Sequence, residues 1–212
     1  MVDGLRATLT VVAGASVWAS LIGIIIALCQ VSERRWLALA GQFYVTVFRN
    51  VPLLIQLFFW YFGISAMLPR AKYPFIYVGS YEIKVAILSV SLVSGAFIAE
   101  VLRSGIEAVP ANQLEAALAT GLSRRQGFYH ILIPQLWPIA MPGLANEAIN
   151  IVKNSAFTMT IGVTELIWQA QQIEANTFRG FEAMTIVTLS YLLINGAIFG
   201  CFYLIERFVR PQ

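Results

Sequence analysis

Charge is what this sequence has least of. Of its 212 residues only 12% are Asp, Glu, Lys or Arg, and 58% are hydrophobic; an average soluble domain carries roughly 25% charged residues. A chain this apolar cannot clothe a water-facing globule in polar groups, so lipid is its expected solvent. That excludes most soluble enzymes, nucleic-acid binders and secreted disulfide scaffolds. Eleven acidic and fourteen basic residues leave a net +3, too mild for a polyanion-binding surface, and no nucleic acid is expected as a partner. The two cysteines, Cys29 and Cys201, sit inside apolar runs and form neither a disulfide framework nor a metal site. The lone histidine, His130, has no nucleophile or ligand cluster around it, so no catalytic residue is expected. No Gly-x-x-x-x-Gly-Lys-(Ser/Thr) loop is present either, which excludes this chain as a P-loop ATPase; no cofactor or metal of its own is expected.

What is present is a set of long apolar runs. No charged residue lies between Arg6 and Glu33, between Arg49 and Arg70, or between Glu182 and Glu206. Each gap holds the ~20 residues that cross a bilayer: residues 8–29, 51–68 and 183–204. Two further candidates carry charges, Lys84 to Arg103 and Pro138 to Val163, the latter containing Glu147 and Lys153. The expected fold is therefore an all-α integral membrane protein of about five spans in one transmembrane domain, residues 1–212. The first run is too long in its apolar core for a signal peptide.

Five spans put the termini on opposite sides, and basic residues choose the orientation. With the N-terminus outside, Arg34, Arg35, Arg49, Arg103, Arg124, Arg125, Arg207 and Arg210 face the cytoplasm. Arg6, Arg70, Lys72, Lys84 and Arg179 face out, and Lys153 lies in a span. The bias favours N-out, C-in.

The connection 104–137, cytoplasmic in this orientation, is too long for a turn and carries helix-start signals. Asn112 with Glu115, and Ser123 with Gln126, fit capping boxes. The pattern predicts a short helix from Gln113 to Thr120 stopped by Gly121 in the left-handed C′ position. A second helix follows Ser123 and ends before Pro134. The elbow presents Leu114, Ala117, Leu118, Phe128, Ile131 and Leu132, an apolar surface that needs a partner.

The run EAALATGLSRRQGFYHILIP, Glu115 to Pro134, resembles the "EAA" loop of permease subunits of bacterial ATP-binding-cassette importers. FRNVPLLIQLFFWYFG (48–63), IAEVLRSGIEAVPANQLEAA (98–117) and VKNSAF (152–157) resemble the polar-amino-acid subfamily, so the resemblance spans essentially the whole chain. One departure is Asn112-Gln113, where many relatives have Gly-Gln. The resemblance implies a type I importer fold whose loop docks on a cytoplasmic ATPase dimer. Glu115 would serve as a polar contact, Ala116 and Ala117 would permit close approach, Gly121 would form the bend, and Pro134 would close the motif. It further implies that ATP and Mg bind the partner ATPase, that a second permease subunit joins (a paralogue slightly favoured over a homodimer), and that an external or periplasmic binding protein delivers substrate. The expected location is the bacterial inner membrane.

In the fourth predicted span, Asn146, Glu147, Asn150, Lys153, Asn154 and Thr158 recur at spacings of three and four, the signature of one helix face. Intramembrane ionisable groups mark pathways; interhelical glue is the competing reading. Where many relatives read Lys-Asp-Thr-Ser, this chain reads Lys153-Asn154-Ser155-Ala156. Loss of the carboxylate makes the stripe more welcoming to an acidic or amide side chain, and the resemblance extends to glutamate/aspartate permeases. An acidic amino acid is favoured over glutamine or a basic one. In the second span Gln56 joins the expected pathway and Pro52 frees backbone groups, while Arg49 reads as an interface anchor and Glu100–Arg103 as a local pair. An ion-coupled secondary carrier is the alternative from another class.

Overall fold

The computed structural model describes residues 1–68 and 72–209; Arg70 and Arg210 lie outside them. The described residues form nine α-helices and no strand: α1 Val2–Gln30, α2 Arg35–Asn50, α3 Leu53–Met67, α4 Tyr81–Ala108, α5 Ala111–Ala119, α6 Arg124–Gly127, α7 Ile133–Ser155, α8 Leu166–Thr177 and α9 Gly180–Val209.

The centre of the bundle is the crossing of α1 and α4. Gly4, Thr8, Ala15, Ala19, Gly23 and Ala27 mark the buried face of α1, a small-residue stripe that lets two backbones approach closely. A methyl placed on Gly95 of α4 would stand 2.8 Å from Ile22 Cγ2, and one on Gly23 would run into Ile98. α4 is the most enclosed long helix, whereas α9 is almost uncovered; Leu192, Leu193 and Phe199 on α9 are exposed, as lipid-facing or partner-facing side chains must be.

By length and composition three helices qualify as spans, α1, α4 and α9, or four when α2 and α3 are taken as one broken span. The expected helix over 51–68 is present as α3, Leu53–Met67, but it is not a full span by itself. α3 has 15 residues, about 22 Å of rise, short of the ~30 Å hydrocarbon core. It meets α2, which the sparse charges at Arg34, Arg35 and Arg49 disguised as a connection, at a bend of 103°. The cause is Pro52, which offers no N–H to α2 and forces Val51 into an extended conformation (φ −98°, ψ 125°). α7 has 23 residues, long enough to cross, but its amides and charges make it less apolar than α1, α4 and α9.

The second elbow helix does not end before Pro134. α6 passes through a π turn at Phe128–Leu132 straight into α7, because a wider turn accommodates a ring that lacks an N–H and crowds the carbonyl four residues back. The Asn112–Glu115 capping box is also absent: α5 starts two residues earlier, at Ala111, capped by Pro110 without a side-chain bond. After α7 a 3₁₀ turn, Ala156–Ile161, ends at Gly162 with φ +92°, so the predicted span to Val163 is not one regular helix.

Candidate functional site

A chamber of about 280 Å³ forms where the α2–α3 break faces α4 and α7. Its wall includes Arg49, Pro52, Phe97, Glu147, Asn150 and Asn154. That volume is just under the ~300 Å³ lower end of small-ligand pockets. Glu147 is 5% exposed, and its Oε2 accepts from Asn150 Nδ2 at 3.3 Å. Its Oε1 makes no hydrogen bond among the described residues. Ser94 of α4 faces the same carboxylate, yet its Oγ closes no bond of normal geometry. An unpaired carboxylate oxygen deep in a bundle is costly unless something cationic or hydrogen-bonding meets it.

The predicted polar stripe divides. Glu147, Asn150 and Asn154 share the chamber, whereas Asn146 lines a separate cleft of about 160 Å³ with Phe199, Phe202, Tyr203 and Glu206 of α9. Lys153 is exposed, and no ion pair joins it to Glu147 among the described residues. Ser155 is buried but gives its hydroxyl to Val152 O at 2.7 Å, and Thr158 gives its own to Ser155 O at 2.6 Å. Gln56 does not line the chamber. Its amide donates to Phe48 O at 3.1 Å and Val51 O at 2.9 Å, bracing the carbonyls released where α2 stops.

A larger cavity, about 610 Å³, opens on the elbow side of Arg49, lined by Gln30, Gln42, Asn50, Phe97, Glu100, Arg103 and Glu107 among others. Glu100 and Arg103 pair as expected, with Nη2–Oε1 at 2.5 Å. Arg103 also grips both oxygens of Glu107 at 2.6 and 2.7 Å, a fork one helical turn on that sequence reasoning missed. The i,i+4 spacing from Arg103 to Glu107 was the available signal. Arg49 reaches Glu100 from α2 at 3.8 Å, and its guanidinium lies 5.0 Å from the centre of the Phe97 ring.

In the elbow, Gly121 takes φ +90° and α5 ends in a Schellman motif: Gly121 N–H donates to Leu118 O at 3.0 Å and Leu122 N–H to Ala117 O at 3.2 Å. The Ser123–Gln126 capping box is complete. Glu115, Ala116 and Pro134 are exposed, but Ala117 turns inward. Arg124 pairs with Glu33 in the α1–α2 turn, tying the elbow to the bundle.

Glu165 escaped the sequence reading altogether. It is fully buried in the link to α8, outside the long helices. It caps α8 by accepting from Trp168 N–H at 2.9 Å, and takes a second bond from Tyr191 of α9 at 3.0 Å. Beside it Leu166 N–H donates to Thr8 of α1 at 3.3 Å. Burial pushes the Glu165 carboxyl above its ordinary range, against the pull of the Ile167 and Trp168 N–H groups and Tyr191. Its only sequence signal is an acidic residue at the N-cap position of α8.

Comparison with known proteins follows the same lines. The chain is 32% identical to the glutamate/aspartate import permease protein GltJ of Escherichia coli K12 over 98% of its length and 86% of that protein's. It is 35% identical to the putative glutamine transport system permease GlnP of Rickettsia bellii, covering 92% of this chain and 85% of that one. Among solved structures, an amino acid ABC transporter crystallised with histidines superposes with a TM-score of 0.84 at 30% identity, over 97% of this chain and 92% of that chain. The MetNI methionine ABC transporter shares the fold with a TM-score of 0.81 at 19% identity, over 99% and 96%. The all-helical fold is that of type I ABC importer permeases. Residues 19–211 match the family model described as the binding-protein-dependent transport system inner membrane component, and the chain belongs to that family.

Proposed function

We propose that this chain forms the translocation pathway of an ATP-driven importer for a polar amino acid, with glutamate or aspartate as the favoured substrate. The observation that carries the reading is the donor set of the chamber: a buried carboxylate with a free oxygen (Glu147), two amides (Asn150, Asn154) and a guanidinium (Arg49) around one small volume. An α-amino acid is a zwitterion. Its ammonium suits Glu147 Oε1, and its carboxylate suits Arg49 and the amides. Asn154, standing where an acidic residue would repel a second carboxylate, leaves room for an acidic side chain. The relatives' names divide among glutamate/aspartate, glutamine, octopine and arginine at similar identity, so the side-chain preference rests on the chamber.

In this reading the 104–137 elbow docks on a cytoplasmic ATPase dimer through Glu115 and Ala116, with Gly121 setting the bend. ATP and Mg are handled by that partner. A second permease subunit, a paralogue slightly favoured, completes the pathway, and an external binding protein loads it. The chain lies in the inner membrane with its N-terminus outside. Proteoliposomes holding the chain, its second permease and its ATPase test this. Uptake of glutamate or aspartate should require both ATP and binding protein; uptake driven by an ion gradient alone would favour a secondary carrier.

A further inference from the structure

Two side chains, Arg49 of α2 and Phe97 of α4, line both the 280 Å³ chamber and the 610 Å³ cavity on the elbow side. They also line a third cleft, about 320 Å³, beside Gly105 and Gly143. The wall shared by these spaces is therefore a guanidinium lying on a ring, 5.0 Å from its centre. Such a contact fixes orientation while leaving the donors at the edge of the guanidinium free.

The polar anchor of Arg49 is loose. Its Nη1 stands 3.8 Å from Glu100 Oε1, longer than a charge-assisted hydrogen bond, whereas Arg103 holds that same oxygen at 2.5 Å. Arg103 is itself braced by both oxygens of Glu107. Glu100 thus stays paired when Arg49 leaves, and no carboxylate is stranded by the exchange. Arg49 also sits in the last turn of α2, two residues before the 103° break at Val51 and Pro52, so any change in that bend carries it along.

We propose that Arg49 is the exit-side partition of the pathway and a specificity-determining residue. The carboxylate of a departing amino acid replaces Glu100 as its partner, and the side chain hands the solute from the chamber to the elbow-side cavity. This rests on the chamber being the substrate site. The proposal makes Arg49 select for solutes bearing a carboxylate, and makes the guanidinium–ring contact the seal that keeps the two spaces separate between passages.

The test uses the assembled transporter in proteoliposomes and reads amino acid imported per ATP hydrolysed. Arg49→Gln should lower that ratio by about tenfold, the scale of losing one hydrogen bond to a charged group. Arg49→Lys, which keeps the charge and loses the flat face, should fall between. A merely structural Arg49 would lower import and hydrolysis together and leave the ratio unchanged, which overturns the proposal. If Arg49→Gln fails to assemble with the ATPase, Phe97→Leu decides the matter: it removes the ring without touching a charge and should lower the ratio severalfold, and an unchanged ratio again overturns the proposal. Asn154→Asp in the same preparation separates the two ideas. If it shifts substrate preference while Arg49→Gln leaves the ratio unchanged, only the partition fails; if it shifts nothing, the chamber itself is wrongly assigned.

Discussion

Gly127 of α6 lies directly under Leu114 of α5: a methyl added to Gly127 would stand 2.7 Å from Leu114 Cδ1. The two arms of the elbow therefore pack on each other, and the joint between them is Gly121. Nothing lies within 4 Å of a methyl built on Gly121, so a substitution there strains only the backbone. At φ +90° a β-branched residue costs about 1–3 kcal/mol. Gly121→Val should leave membrane insertion intact while ATPase co-purification and coupled uptake fall. Gly127→Ala meets only the flexible end of Leu114 and should do much less. Normal uptake by Gly121→Val would remove the docking role from the elbow.

Single cysteines introduced into a background lacking Cys29 and Cys201 test the orientation. Positions 72 and 179 should react with an impermeant thiol reagent from outside. Positions 35 and 124 should react only after permeabilisation. External labelling at position 124 would overturn both the orientation and the cytoplasmic elbow.

The apolar runs made α1 and α9 legible because a charge-free stretch of ~20 residues has few other physical solutions, and α4 was legible from its apolar run between Lys84 and Glu100. The Gly121 turn and the Ser123–Gln126 box were legible because their residue types serve specific backbone geometries. α2 was not, since its Arg-flanked sequence reads equally as a cytoplasmic connection until Pro52 is seen to break the rod. The polar stripe misled in a different way. Spacing put Asn146, Lys153 and Glu147 on one arc, but only packing tells that Asn146 faces α9 while Glu147, Asn150 and Asn154 face the chamber. Glu165 was illegible because its partners, Trp168 on its own helix and Tyr191 on α9, define it only in three dimensions.

Glu165 gives a pH-dependent prediction. Burial raises its folded-state pKa, so its carboxyl favours the folded state fully below the ordinary glutamate range. That contribution is lost as pH rises through the folded value. In detergent, Glu165→Gln should therefore gain thermal stability relative to the parent chain as pH increases. Glu165→Ala, which also abandons the Trp168 N–H, should lose about 1–2 kcal/mol in addition. A Glu165→Gln gap in Tm that stays constant with pH would contradict the burial effect.

Lys153 and Asn154 are neighbours in sequence but not in role. Asn154 faces the chamber, whereas Lys153 is exposed. Lys153→Met should accordingly change substrate preference less than Asn154→Asp does, provided both variants are recovered at similar levels. A larger effect from Lys153→Met would mean that the pathway runs on the other face of α7.

Substrate-stimulated ATP hydrolysis by the Asn154→Asp transporter, supplied in turn with binding proteins for acidic and for amide amino acids, is the most direct measurement. A new carboxylate ~5 Å from a substrate carboxylate, at an effective dielectric of ~20, is worth about 3 kcal/mol, and water in the chamber reduces this to roughly a tenfold preference. Stimulation by glutamate or aspartate should fall by that factor relative to glutamine. An unchanged preference would contradict the chamber as the substrate site and leave Glu147, Asn150 and Asn154 as interhelical packing.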